Sequence, residues 1–265
     1  MNIEEGTYAR LCDLGVSKRT IDRIDDLVAQ RDDYAYTGGE VADKHFIAFV
    51  GATRVGKSTS INPMLEMGRQ RGIDIAEVGS SVTRGRRPSD PADYITADEG
   101  HNHDRAVDLI ENGQMLNWSL FKTGHIYGGQ PQNFDSKYNL QPFLPDSLDM
   151  MRRAGFATLK TVYVVAPTNE WRSRFTEPVD DPDTRNRLLE ALDSLEFGMN
   201  QPDLIRYVNQ PGEEALKKAS STLLNIVLAE DNEARIRVLE SRISSGYYLH
   251  GQGMKNAALE MLDEN

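Results

Sequence analysis

Residues 51–58 read Gly-Ala-Thr-Arg-Val-Gly-Lys-Ser, which fits the spacing G-x-x-x-x-G-K-S and directly follows the apolar run Phe46-Ile-Ala-Phe-Val50. Each fixed position has a chemical reason. A polyphosphate needs several backbone N–H groups converging on its oxygens, so Gly51 and Gly56 stand where a side chain would block the approach or forbid the dihedrals. Lys57 supplies a mobile cation for the outer phosphates, and the hydroxyl of Ser58 suits coordination of Mg²⁺. A helix starting at this point turns its positive end toward the same anion. Gly51, Ala52, Thr53, Arg54, Val55, Gly56, Lys57, Ser58 and Thr59 are therefore read as a binding loop for the phosphates of ATP, with Ser58 as the metal-binding residue.

A second group of residues stands out against the charge of the chain. The formal net charge is -11, which argues against general nucleic-acid binding because phosphate backbones dominate such affinities. Yet the segment Ser80 to Pro88 carries Arg84, Arg86 and Arg87 without an acid among them. That is local chemistry for an anionic small molecule. His101-Asn-His103 lacks further ligands at suitable spacing and reads as a polar loop. The single Cys12 has no partner for a disulfide or a thiolate site and is expected to pack.

These residues need elements to hold them. Hydrophobic residues make up 39% and charged residues 27%, a balance that supports a packed α/β core with appendages. No run approaches the roughly 20 apolar residues of a membrane span. Glu4 and Glu5 follow Met1 where a signal peptide would place basic and apolar residues, so a cytoplasmic protein is expected. Residues 3–33 have helical spacing, with Leu11, Leu14, Ile21, Ile24 and Leu27 as the buried face. The run 46–50 reads as a central strand and the segment after Lys57 as a helix, with Pro63 expected near its first turn.

Further on, Ile73 to Val78 is a candidate strand, residues 103–112 a helix closed by Asn112-Gly113, and Met115 to Phe121 a strand. Tyr138 to Leu144 is a strand weakened by Pro142, and Asp146 to Arg153 a helix capped by Asp146. Thr161 to Val165 is a clear strand, and a helix follows from Thr168. The segments 183–197, 204–208 and 213–228 read as helix, strand and helix. Strands alternating with helices imply an α/β fold, a mainly parallel sheet with helices on both faces, and phosphate sites at the carboxyl ends of its strands.

The order of the remaining motifs adds a resemblance. After the phosphate loop come Ser80-Ser-Val-Thr-Arg84-Gly-Arg-Arg87, Asp93-Tyr94, Gly113-Gln-Met-Leu-Asn117-Trp118 and Tyr127-Gly128-Gly129. This resembles guanylate kinases, whose pattern runs phosphate loop, S-x-x-T-R-x-x-R, D-Y-x-F, G-x-F-x-E-W and Y-G-[TS]. The resemblance covers about residues 46–227, including Tyr207-Val-Asn209 and Glu213-Glu-Ala-Leu216. It implies a three-layer P-loop NTPase fold within 44–228. A nucleoside-monophosphate (NMP) subdomain is expected at about 79–130 and a lid at about 172–187. The helical extensions 1–43 and 229–265 read as packing or oligomer elements, with a homodimer as the assembly to test.

Carried over by position, the resemblance implies that Arg84, Arg87, Tyr94 and Tyr127 hold the phosphate of an acceptor monophosphate, with Ser80 and Asn117 at its base. It also implies that Lys57, Arg174 and Arg187 act on the transferring group, using ATP and Mg²⁺. Three departures bear on the acceptor. Asn117 stands where the family has a glutamate, Gly129 where it has a hydroxyl, and Asp146 alone remains where it has D-x-D. The leading reading is transfer to GMP or dGMP. The alternatives are a kinase for another phosphorylated acceptor, such as a modified nucleotide or ribose phosphate, and a non-catalytic binding module of the same shape.

Overall fold

The computed structural model describes residues 2–88, 95–176, 181–229 and 232–263. Two compact units emerge, and each is discontinuous in sequence. One comprises Met1–Lys44, Val78–Asp135 and Asp146–Ala157; the other comprises His45–Glu77, Ser136–Pro145 and Thr158–Asn265.

The second unit holds a five-stranded parallel sheet flanked by helices. Its strands are β1 (His45–Val50), β2 (Ile75–Glu77), β6 (Tyr138–Phe143), β7 (Thr158–Val165) and β8 (Ile205–Val208), in the order β2-β6-β1-β7-β8. β1 is central because its side chains are apolar on both faces: Phe46 to Val50 are all buried, as a strand covered on both sides requires. α3 (Lys57–Gln70) follows β1, α6 (Thr168–Arg172) and α7 (Pro182–Asn200) follow β7, and α8 (Glu213–Val227) follows β8.

β6 is an interior strand despite Pro142, and its register explains how. β2 pairs with β6 only over Tyr138 to Leu140, so at Pro142, opposite Phe49, β6 has β1 as its neighbour and no β2 partner. The missing proline N–H falls beyond the end of β2. Pro63 departs from expectation in the other direction. It lies well inside α3, not near its first turn, and the helix runs through it.

The exposed edge of β8 is covered by the chain's own C-terminal part, α9 (Glu233–Glu240) and α10 (Tyr247–Asp263). The Val208 N–H donates to the Ile243 carbonyl at 2.9 Å and the Arg206 N–H to Glu240 Oε1 at 2.8 Å, which leaves these edge donors unavailable for another chain. α10 lies against α7 and α6: the Tyr247 hydroxyl donates to the Gly198 carbonyl at 2.8 Å. A Cβ on Gly253 would come within 2.2 Å of Thr168 Oγ1. The C-terminal helix is thus part of the packing of the helix that carries Arg187.

In the first unit a three-stranded antiparallel sheet, β3 (Ser81–Val82), β5 (Ile126–Gly129) and β4 (Asn117–Leu120), packs with α4 (His103–Glu111) and α5 (Leu148–Arg153). The N-terminal α1 (Glu5–Asp13) and α2 (Lys18–Ala29) join that core through Leu11, Ile21 and Ile24, which pack with Val107, Ile110, Met115 and Trp118. Two expectations fail on α1. Leu14 is 45% exposed, and Cys12 is exposed as well. Leu11 is the buried position; Cys12, one step of about 100° further round the helix, is turned to solvent, and Leu14 lies beyond the last residue of α1, at its C-cap, where the helical face no longer continues.

Candidate active site

The phosphate loop occupies the carboxyl end of β1, and its carbonyls are engaged one after another. Lys57 Nζ donates to Gly51 O at 2.7 Å and Ala52 O at 3.0 Å. The Trp171 indole N–H donates to Thr53 O at 2.8 Å, Arg174 Nη1 to Arg54 O at 2.7 Å, and Asn209 Nδ2 to Val55 O at 2.8 Å. Gly56 O accepts from both the N–H (3.1 Å) and the hydroxyl (2.9 Å) of Ser60 in α3. Six consecutive carbonyls are thus held by named donors. The loop's N–H groups are its remaining main-chain polar groups, and positive φ values at Arg54 (63°) and Gly56 (91°) give the backbone the curvature of an anion nest.

Both glycines are required by space as well as by dihedral. A Cβ on Gly51 would sit 2.4 Å from the Val164 carbonyl of β7, and one on Gly56 2.3 Å from Asn209 Nδ2. The partners come from the neighbouring parallel strands. Asn209 follows β8, where its own N–H continues the ladder to Val165 O at 2.8 Å, and its Oδ1 accepts from the Tyr207 hydroxyl at 3.1 Å. Trp171 is fully buried in α6, the first helix after β7.

Lys57 is partly buried, and desolvation pulls its ammonium pKa down to about 8, with the Glu190 carboxylate of α7 opposing the shift. Ser58 and Thr59 are exposed in the first turn of α3. Arg174 lies just past α6, its Nη2 3.3 Å from Glu170, and Arg54 returns the contact by donating to the Arg174 carbonyl while stacking 4.7 Å over Phe175. Arg187 is exposed on α7. Lys57, Arg174 and the whole loop therefore form one cluster, with Glu190 within electrostatic reach of Lys57.

The residues expected at the acceptor belong to the other unit. Arg84 is buried, with Nε donating to the Tyr127 hydroxyl at 2.9 Å, Nη1 to Gly85 O at 2.9 Å, and its guanidinium 5.8 Å from the Tyr127 ring centre. Arg87 is exposed, whereas Arg86 pairs with Glu99 at 2.7 Å and its N–H donates to Asp98. Ser80 is buried. Tyr94 lies outside the described residues. Of the three arginines of the segment Arg84 is thus inward, and Arg86 and Arg87 are both exposed, Arg86 in its ion pair with Glu99.

Asn117 on β4 is 6% exposed, and its Oδ1 is buried without a hydrogen-bond partner among the described residues. That oxygen points at Gly129 on β5, where an added Cβ would lie 2.9 Å away. An uncharged amide and a glycine thus occupy the positions where charge and a hydroxyl were expected from the family pattern.

Asp146 corrects an expectation: it does not cap α5. Its carboxylate accepts from Arg31 at 2.7 Å and from Ser119 Oγ at 3.1 Å, and the helix N-cap is Ser147, whose side chain makes no cap bond. Arg31 also reaches the Trp118 carbonyl and Ser119 Oγ, and a charged partner outcompetes an N-cap N–H for a carboxylate. His103 accounts for the polar loop, its Nε2 lying 2.8 Å from Gly124 O and 3.2 Å from Thr83 Oγ1. Among the described residues no group of three or more His, Cys, Asp or Glu side chains could hold a metal ion. A Mg²⁺ bound mostly by substrate phosphates and water needs few protein ligands, and the exposed Ser58 hydroxyl fits that requirement.

Sequence reasoning missed Trp171, Asn209 and Glu190. Asn209 stands inside the Tyr207-Val-Asn209 motif and Trp171 three residues before Arg174, but nothing local says that their side chains reach back to a loop more than a hundred residues earlier.

No protein-family model matches the chain, and no curated protein matches it. Among solved structures it is similar to guanylate kinase from Anaplasma phagocytophilum, with a TM-score of 0.47 and 19% sequence identity, covering 76% of this chain and 95% of that one.

Proposed function

We propose that this chain transfers the γ-phosphoryl group of ATP to a nucleoside monophosphate, with GMP and dGMP the first acceptors to test. The observation that carries the reading is the phosphate loop whose carbonyls, from Gly51 to Gly56, are all engaged by side chains or by α3. A loop so held is organised for an anion before the anion arrives, which is the economical way to stabilise phosphoryl charge. In the reaction an oxygen of the acceptor phosphate forms a bond to the γ-phosphorus, the bond from that phosphorus to the β–γ bridging oxygen breaks, and ADP leaves. Lys57 and Arg174 would hold donor charge, with Arg187 as the further cation from α7. Arg84, Arg87 and Tyr127 would hold the acceptor phosphate, since arginine forks match its oxygens. Ser58 would hold Mg²⁺, which neutralises charge on the transferring group.

A second reading is favoured by one observation. Asn117 cannot offer the charged acceptor that guanine's two N–H groups call for, so a different phosphorylated acceptor remains open, such as a modified nucleotide or ribose phosphate. A coupled ADP-release assay over GMP, dGMP, AMP, UMP, CMP and ribose phosphates, with Lys57→Ala as control, separates the outcomes. Acceptor-dependent ADP release above the control is expected; none with any acceptor sinks the kinase reading in favour of a binding module. Turnover without preference for GMP or dGMP sinks the guanine assignment alone. Arg84→Ala should raise the acceptor KM at least tenfold more than the ATP KM, on the order of one lost charged contact.

A further inference from the structure

His125 lies at the foot of β5, two residues before Tyr127. The Phe121 N–H donates to the His125 carbonyl at 2.9 Å, extending the β4–β5 ladder beyond the Leu120–Ile126 pair. By strand alternation His125 and Tyr127 therefore project from the same face. Tyr127 is fixed on that face by the Phe121 ring at 4.4 Å and by the Arg84 Nε donor at 2.9 Å. On its other side the His125 ring stacks on His103, the first residue of α4, at 6.0 Å. Its Nδ1 is buried and has no hydrogen-bond partner among the described residues.

Among the described residues the charged groups acting on this ring are His103 from α4 and Arg84 and Arg87 from the segment after β3, while Asp104 acts on His103 in turn. Burial first, then these three neighbours, hold His125 below the ordinary histidine value, with a hydrogen bond to the Thr83 backbone opposing them. Burial first, and the positive charge around the ring second, keep such an imidazole neutral. A dianion bound by the same guanidinium groups offsets their charge and favours the imidazolium.

We propose that His125 is a third cationic contact of the acceptor-phosphate cluster, neutral while the cluster is empty and protonated from solvent when a dianionic phosphate ester binds Arg84 and Arg87. The inference rests on the acceptor-site reading of Arg84, Arg87 and Tyr127. It makes acceptor affinity increase as pH falls, the opposite of what protonation of the phosphate itself would do, since that group loses charge around pH 6. Electrostatic linkage of this kind is reciprocal: the anion raises the proton affinity of the ring by the factor by which the proton raises anion affinity.

Inorganic sulfate, a dianion throughout the range, is the probe. Its dissociation constant for the full-length protein is measured by calorimetry from pH 5.5 to 7.5. The ring nitrogens of His125 are followed by NMR with and without sulfate and assigned by their loss in His125→Asn. Expected are a ring titration moved upward by sulfate and binding roughly tenfold tighter at the acid end, matched by a gain of about tenfold in the proton affinity of the ring. His125→Asn and His125→Gln should both bind sulfate with a flat pH dependence. A His125 titration indifferent to sulfate, with Arg84→Ala still abolishing the binding, overturns this inference and leaves the acceptor site intact. Sulfate binding that is absent, or unchanged by Arg84→Ala, overturns the acceptor-site reading and the inference together.

Discussion

Lys57 should be a source of instability below pH 8. Desolvation brings its pKa from 10.5 to about 8, so between those values the folded chain binds fewer protons at this site than the unfolded chain does. Stability then rises with pH across that window, and the penalty is fully present below it. The whole shift corresponds to about 3 kcal/mol. From pH 7 to pH 9.5, where the unfolded lysine is still mostly charged, about 2 kcal/mol of that is recovered. The carbonyls of Gly51 and Ala52 that Lys57 Nζ contacts do not change this magnitude, because a neutral amine can donate to them as well.

The test compares wild type with Lys57→Met at both pH values by urea denaturation, following the fluorescence of Trp171, the tryptophan of the same compact unit. Other titrating groups are common to the two proteins and cancel. Wild type should gain about 2 kcal/mol on the variant as pH rises. An unchanged difference would refute the desolvated lysine, and a wild-type loss would mean that Lys57 is stabilised as a cation in the empty loop. Bound ATP should abolish the gain, since a triphosphate restores the charged form.

Three further perturbations probe the residues that hold the loop and the acceptor unit. Trp171→Phe keeps most of the buried ring but leaves the Thr53 carbonyl without its 2.8 Å donor. It should cost about 1–2 kcal/mol in urea melts and weaken binding of a fluorescent ATP analogue roughly three- to tenfold; unchanged ATP affinity would remove Trp171 from the organisation of the loop. Arg31→Met should destabilise the first unit by about 2 kcal/mol, because it leaves Asp146, Ser119 and the Trp118 carbonyl without their shared donor. Asp146→Asn should cost less and leave the Mg²⁺ dependence of any turnover unchanged. A shifted Mg²⁺ dependence would bring Asp146 to the metal as well as to Arg31.

What the sequence conveyed well was what depends on neighbours along the chain. The phosphate loop is specified by the strand before it, the helix after it and two glycines, and the parallel sheet by apolar runs such as Phe46 to Val50 separated by helical patterns. The misreadings share a cause. Asp146 looked like an N-cap because a cap needs only the next few residues, but Arg31, 115 residues earlier, offers a charged fork that a helix N–H cannot match. Pro142 looked disruptive because local reasoning assumes neighbours on both sides of an interior strand, and β2 ends before reaching it. Leu14 was placed inward by helical spacing and Cys12 for want of a thiol partner, but α1 ends before Leu14 and both side chains are exposed.

The same distinction separates the two halves of the proposed chemistry. The donor half is written in one short segment, and its distant partners Trp171, Arg174 and Asn209 take carbonyls that any G-x-x-x-x-G-K-S loop would leave needing donors. Their identities can vary while the anion nest persists, so the motif alone predicts the nest and not its supports. The acceptor half is assembled from β3, β4, β5 and the start of α4, and its selectivity rests on single side chains such as Asn117 and His125. One substitution there changes which hydrogen-bonding edge or charge is offered, whereas substituting Trp171 or Asn209 among the loop's supports changes only how firmly the loop is held. Asn117→Glu is the sharpest expression of this asymmetry. It puts a carboxylate beside Gly129, where the buried amide oxygen now lacks a partner among the described residues. With guanine as acceptor the charge would be met by two N–H donors and the acceptor KM should fall severalfold, about 1 kcal/mol or more. A KM for GMP that rises instead, with the ATP KM unchanged, would mean that this pocket is built for a different acceptor.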